Sequence, residues 1–231
     1  MSEFVHLQVK SHYSLRSGLP TPKDIVDAAH KKGLKAVAMT DKNSFFGIIK
    51  FYNYAISKGV KPICGVDFDI ESNLKGLTKG LLLAKNKKGL EKLFSLSTKS
   101  YLQANKGIKI NENEILALRD DVIFILPSDN FSIFKSTDIQ EGKDVIATID
   151  ALKNTFSSNL YLGVTNYSDD AYDENSSNLI KFCSDKNIHA LALNDVHFIK
   201  QSDYLNHQAK VAINTGTHLR SEMENPSCSK E

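Results

Sequence analysis

The sequence predicts an α/β domain whose sheet is parallel and buried on both faces, either a (β/α) barrel or a doubly wound sheet. Three observations predict it. Strand-like and helix-like segments alternate almost throughout, the strands are short apolar runs, and roughly seven of them can be counted, most followed by a helix. At 231 residues and 41% hydrophobic content, the chain is long enough for one barrel domain with a full core, or for two small domains.

Val5, Leu7 and Val9 alternate with His6, Gln8 and Lys10, the period of two that marks a strand. Thr21 then suits a helix N-cap, Pro22 the first turn and Asp24 the positive end of the helix dipole. Ile25, Ala28 and Ala29 form that helix's buried face, and Gly33 ends it. Residues 36–39 read as a strand. Phe45, Ile48, Ile49, Tyr52 and Ile56 have helical spacing, closed by Gly59. Strands follow at 62–70 and 81–84, then a helix carrying Leu90, Leu93, Phe94, Ser97 and Tyr101. The polar stretch 104–120 has room for one short helix, and 122–126 is a buried strand. The second half repeats the rhythm: helix 144–156, strand 160–164, helix 171–186, strand 190–193 and helix 202–214. The polar residues 217–231 read as a tail cut within a loop, and the short approach to the first strand makes Met1 the expected N-terminus.

A net charge of +2 with 24% charged residues is too weak a basic excess to mark a nucleic-acid binder, which needs concentrated Lys and Arg. Lys85, Lys87 and Lys88 read as a solvated helix end. The three cysteines, Cys64, Cys183 and Cys228, form no CxxC pair and suit reduced thiols of a cytosolic protein. No apolar run has the length of a membrane span or the form of a signal peptide.

The chemistry of such folds sits at the C-terminal ends of the strands. There the sequence places His6, Gln8 and Lys10 on one strand face, Asp41 and Lys42 after the second strand, Asp67 in the third, and Asn194, Asp195 and His197 after the last. Each alone reads as a capping or solvated residue. Together they point to a site or a former site.

The segment Phe4-Val5-His6-Leu7-Gln8-Val9-Lys10-Ser11-His12-Tyr13-Ser14-Leu15 resembles the opening F-V-H-L-H-V-H-T-E-Y-S-L of bacterial DNA polymerase III alpha subunits. Residues 38–47 resemble their A-M-T-D-H-G-N-L-F-G, 59–67 their G-I-K-P-I-x-G-x-E/D, 83–93 their L-A-K-N-x-x-G-Y-x-N-L, and 194–198 their N-D-V-H-Y. The pieces run in order over most of the chain. The resemblance is to the N-terminal PHP (polymerase and histidinol phosphatase) domain of that family. It implies a distorted seven-stranded (β/α) barrel over residues 1–216, with 217–231 leading towards a polymerase region. In active members, His, Asp and Glu hold up to three metal ions, often zinc or manganese, which activate water for phosphoester hydrolysis.

The sequence departs from that pattern at the ligands. Gln8 and Lys10 stand for the two histidines of H-x-H, Lys42 for the histidine of T-D-H, Ser17 for an acidic residue, and Tyr167 for a histidine after the sixth strand. No S-G-C turn follows Leu126. Asp41, Asp67, Asp195 and His197 remain, and any residual metal would fall to Asp67, Asp195 and His197. Glutamine is a poor zinc ligand and an ammonium group is none, so the resemblance implies a vestigial, metal-free site. The expectation is that Asp41, Asp67 and Asp195 converge and that Lys10 and Lys42 supply the cationic charge. His6, His12 and His207 read as structural or exposed, and Phe45 and Phe46 as core.

The function implied is that of a structural and interaction domain in a replicase. Its partners would be the remainder of the alpha subunit, a proofreading exonuclease subunit and, through the replicase, DNA, in the cytoplasm and without a membrane. The competing reading is a surviving metal-dependent phosphoesterase or 3′–5′ proofreading nuclease, opposed by the ligand count. A stand-alone phosphatase is opposed by the polymerase-type motifs around Lys61 and Asn86. No carboxylate pair of a polymerase palm and no Gly-rich phosphate loop is visible. Mg²⁺ is accordingly expected as cofactor of the parent polymerase, and none for this segment.

Overall fold

Thr21 and Asp24 form a reciprocal capping box, each side chain bonded to the other's backbone N–H. With Pro22 in the first turn, they start helix α1 (Pro22–Lys31) where the sequence indicates. Ile25, Val26 and Ala29 give it a buried face. The computed structural model describes residues 4–15, 17–103, 107–128, 139–165 and 170–220. Its chain divides into two compact units, Met1–Cys64 with Asp195–Glu231, and Gly65–Asn194.

The first unit holds β1 (Gln8–Val9), α1, β2 (Ala36–Lys42), α2 (Ile48–Ser57) and the start of β3 (Lys61–Glu71). Its share of the chain's C-terminal part follows β4 to β8 in sequence and comprises β9 (Asp195–Val196) and α7 (Tyr204–Thr215). Regular ladder bonding covers only two residues of the predicted first strand, because its partner β9 is itself two residues long. The pairing is parallel, with Gln8 opposite Asp195 and Val9 opposite Val196. On the other side, the Ala38 N–H donates to the His6 carbonyl at 2.9 Å, and the Val9 N–H to Thr40 Oγ1 at 3.0 Å. Helices α1 and α2 pack together. Helix α7 ends at Gly216, whose φ of 70° is the left-handed cap that glycine adopts without strain.

The second unit continues β3 and adds β4 (Lys79–Ala84), α3 (Lys87–Leu102), β5 (Ile110–Asn111), α4 (Glu112–Leu116) and β6 (Val122–Pro127). It closes with α5 (Ile139–Phe156), β7 (Leu160–Val164), α6 (Asp170–Asp185) and β8 (His189–Ala192). Its sheet runs β3-β4-β6-β7-β8, with β5 beside β3. β6, β7 and β8 are parallel, as the intervening helices require. β4 is antiparallel to both β3 and β6, which corrects the expectation of an all-parallel sheet. The reason is local. Only residues 72–78 separate β3 from β4, too few for the helical crossover that a parallel pair needs. Phe68, Leu81, Phe124, Leu126, Ile149 and Leu162 are fully buried. The Phe124 and Phe156 rings pack at 5.0 Å.

Phe46 is 60% exposed, so it does not belong to the core as predicted. The spacing that buries Ile48, Phe51 and Ala55 on α2 turns Phe46 outwards with Ile49, Tyr52 and Ile56.

A candidate vestigial metal site in the first unit

The strand ends of the first unit hold a buried polar cluster. Gln8, Lys10, Ser11, Ser14, Thr40 and Asp41 are each at most 3% exposed. Such groups are tolerated inside only when they are paired.

Asp41 ends β2 and is held by serines. The Ser11 N–H and the Ser14 hydroxyl donate to its Oδ1 at 2.7 and 2.6 Å, and the Ser11 hydroxyl donates to Oδ2 at 2.7 Å. Ser14 Oγ also accepts the Lys42 N–H at 3.0 Å. The loop that carries these serines is tied down by its own backbone. Ser14 N–H bonds to the Ser11 carbonyl, Gly18 N–H to the Ser14 carbonyl, and Leu19 N–H to the His197 carbonyl. Gly18 is required by this packing, since a Cβ there would sit 1.9 Å from the Ser11 carbonyl oxygen. Lys210 of α7 reaches into the same loop, and its ammonium group donates to the Gly18 carbonyl. Burial lowers the Lys210 pKa, and the Asp41 charge opposes that shift.

Lys10 meets Asp195. The β1–β9 register, continued by a 2.9 Å bond from Lys10 N–H to the Val196 carbonyl, sets the Lys10 ammonium against Asp195 Oδ1. His197 Nε2 lies 3.2 Å from the other carboxylate oxygen. Burial alone would raise the Asp195 pKa. The Lys10 charge and the His197 contact outweigh it and hold the carboxyl below the ordinary carboxylate range. Behind His197 lies the His207 ring, at 5.0 Å between centroids. Burial, followed by the positive charges of His197 and Lys210, pushes the His207 pKa down to about 4, against a smaller upward pull from Asp195 and a hydrogen bond to the Ser17 backbone. Cys64 and Cys183 are buried thiols raised to about 11 by desolvation, unsuited to nucleophilic work.

These contacts place most of the residues singled out in the sequence. Gln8, Lys10, Ser17, Asp41, Lys42, Asp195 and His197 belong to the first unit. Asp67 is 2% exposed on β3, opposite Leu81, and belongs to the second unit. Tyr167 lies outside the described residues. Lys210, whose ammonium group feels the Asp41 charge, was not singled out in the sequence. Ser11 and Ser14 were missed as well, and His207, read as structural or exposed, is buried. The S-x-x-S spacing from residue 11 to 14 was the one available signal.

The donor set does not fit a multinuclear metal site. Among the described residues, no group of three or more His, Cys, Asp or Glu side chains is arranged to hold a metal ion. The Asp41 and Asp195 oxygens already accept bonds from serines, lysine and histidine. A dication roughly 4 Å from an ammonium group is repelled by about 8 kcal/mol at an effective dielectric of about 20.

The family profile of the PHP domain matches residues 6–167. The chain belongs to the PHP domain family. Similar curated proteins are DNA polymerase III alpha subunits. The one from Buchnera aphidicola subsp. Schizaphis graminum is 32% identical over 229 residues, covering 95% of this chain and 19% of that protein. The Pseudomonas aeruginosa protein is 30% identical over 220 residues, covering 94% and 19%. The Escherichia coli K12 protein is 29% identical over 225 residues, covering 95% and 19%. The chain thus spans 19% of the length of these relatives. Among solved structures, a protein described as a metal-dependent phosphoesterase from Bifidobacterium adolescentis superposes with a TM-score of 0.58 at 12% identity, over 86% of this chain and 89% of the other. A Chromobacterium violaceum amidohydrolase gives 0.52 at 12%, over 84% and 87%. At that identity the likeness establishes the fold, a distorted α/β barrel of the PHP type, and nothing about activity. No described helix is long and apolar enough to cross a membrane.

Proposed function

We propose that this chain is the N-terminal PHP domain of a replicative DNA polymerase III alpha subunit, with a degenerate metal site and a structural and interaction role. The observation that carries the reading is the Lys10 ammonium group seated on Asp195, with His197 on the opposite carboxylate oxygen. A phosphoesterase of this fold needs Asp195 and His197 for metal, and here they are engaged with each other and with Lys10. In this reading the domain supports the remainder of the alpha subunit and docks a proofreading exonuclease subunit. It meets DNA only through the assembled replicase in the cytoplasm. It takes no cofactor of its own, while Mg²⁺ serves the polymerase palm elsewhere in the parent protein.

The test has two parts. The purified chain is assayed on a primed template and on a DNA 3′ end with Mg²⁺, Mn²⁺ or Zn²⁺, and neither extension nor digestion is expected. Metal-dependent nuclease turnover abolished by Asp195→Ala would establish the phosphoesterase reading instead. In parallel, the cognate exonuclease subunit is co-purified with the full alpha subunit and with this chain. If neither binds, the docking role fails.

A further inference from the structure

We propose that Lys10 is a built-in cation that replaces a metal ion at the Asp195–His197 end of the first unit, so that the ion pair, rather than a bound metal, holds β1 to β9. The inference rests on the metal-free reading above and adds to it the group that makes the absence of metal stable.

Four observations converge on it. First, Lys10 is 3% exposed, and an ammonium group is kept that far from water only when paired. Second, its charge falls on Asp195, whose two oxygens are divided between Lys10 and His197. A shared cation would meet the same two side chains. Third, the backbone presents the lysine there. The two residues of the parallel β1–β9 ladder and the Lys10 N–H bond to Val196 fix its register. Fourth, β9 is only two residues long, so its ladder is a short clamp on the strand, and the side-chain pair reinforces it. His197 Nδ1 is buried without a hydrogen-bond partner among the described residues, so the ring is oriented through its contact with Asp195 and its packing on His207.

The experiment is a double-mutant cycle read by thermal unfolding of the chain. Lys10→Met keeps the length of the stem and removes the charge. It leaves Asp195 facing a neutral group and should lower Tm by roughly 10 °C. Adding Asp195→Asn should recover at least half of that loss, because the uncompensated charge is gone. Lys10→Arg should stay close to the unmutated chain. If Lys10→Met proves insoluble, the double variant and Lys10→Arg carry the test, and both should be soluble. Every melt is repeated with EDTA, Zn²⁺ and Mn²⁺, and the metal content of the purified chain is measured. A Lys10→Met chain as stable as the original, or no recovery in the double variant, overturns the role of Lys10 and leaves the metal-free reading intact. Stoichiometric zinc or manganese in the unmutated chain, with a Tm that falls on chelation, overturns both.

Discussion

Ser11 holds Asp41 through two hydrogen bonds, its N–H on one carboxylate oxygen and its hydroxyl on the other, each at 2.7 Å. Together with Ser14, it surrounds a carboxylate that is 1% exposed. A buried charge in a nest of donors is stabilised by fixed dipoles, and the loop that provides them is ordered in return.

Removing these donors should therefore destabilise the first unit. Each hydrogen bond to a charged group contributes about 1.5–3 kcal/mol, so Ser14→Ala should cost about 2 kcal/mol. Asp41→Ala should cost more, since it strands several buried donors at once. Lys87→Ala, at a side chain 90% exposed, is the surface control and should stay within about 0.5 kcal/mol. Urea unfolding measures all three, and a Ser14→Ala variant indistinguishable from the Lys87→Ala control would refute the nest.

Acid should weaken the fold in two windows. The His207 pKa is lowered from 6.5 to about 4. Between those values the unfolded chain binds a proton that the folded chain refuses, so stability falls as pH drops from about 6.5 to about 4 and is flat below. Above pH 7 the residue is neutral in both states and contributes no slope. The loss is at most about 3 kcal/mol, less where solvent screens the ring. His6, also lowered by burial, acts in the same direction. The depressed Asp195 carboxyl opens the second window. Its contribution is full above the ordinary carboxylate pKa and is lost as pH falls below it. His207→Gln should remove about one proton from the stability slope between pH 4 and 6.5. An unchanged slope in that variant would rule out His207 as the source.

Gly18→Ala should be among the most damaging small substitutions. The added methyl would meet backbone, the Ser11 carbonyl at 1.9 Å, and neither strand nor loop can yield without breaking the Asp41 contacts. Overpacking of this kind costs about 1–3 kcal/mol or more. Differential scanning calorimetry of Gly18→Ala should give a Tm lower by several degrees. An unchanged Tm would mean that the loop can shift freely.

Local signals were legible in the sequence, and long-range pairings were not. The Thr21–Asp24 start of α1 is written in residues a few positions apart and stands where expected. The helix α2 also forms where the spacing puts it, but of the residues named for it Ile49, Tyr52 and Ile56 are exposed, and Ile48 is buried with Phe51 and Ala55 instead. The reversal of β4 was readable from the short connector at 72–78, but the prevailing alternation of strands and helices hid it. Lys10, Asp41, Asp195 and His197 were identifiable because they fall on motif positions. Their partners Ser11, Ser14, His207 and Lys210 were not, since nothing periodic links residue 11 to 41 or residue 18 to 210. Lys10 and Lys42 were expected to supply the cationic charge for the carboxylates. Lys10 meets Asp195, and Asp41 also acts on the ammonium group of Lys210, from α7, a helix contributed by the C-terminal part of the chain.

Lys210 thereby ties α7 to the loop that builds the Asp41 nest. Its ammonium group donates to the Gly18 carbonyl, and Gly18 donates in turn to Ser14, whose hydroxyl sits on Asp41. Lys210→Met keeps the stem and removes the donor. The loop should then open more often while the rest of the unit stays folded, because local openings are governed by local contacts. Hydrogen exchange reads this directly. The Ser14 and Gly18 amides, both bonded within the loop, should exchange about tenfold faster in Lys210→Met, as expected for a loss of about 1.4 kcal/mol of local stability. Amides of α1, such as those of Ile25 and Ala29, should keep their protection. Uniform acceleration across both segments would mean that Lys210 supports the whole unit, and no acceleration at Ser14 and Gly18 would mean that the loop holds itself without it.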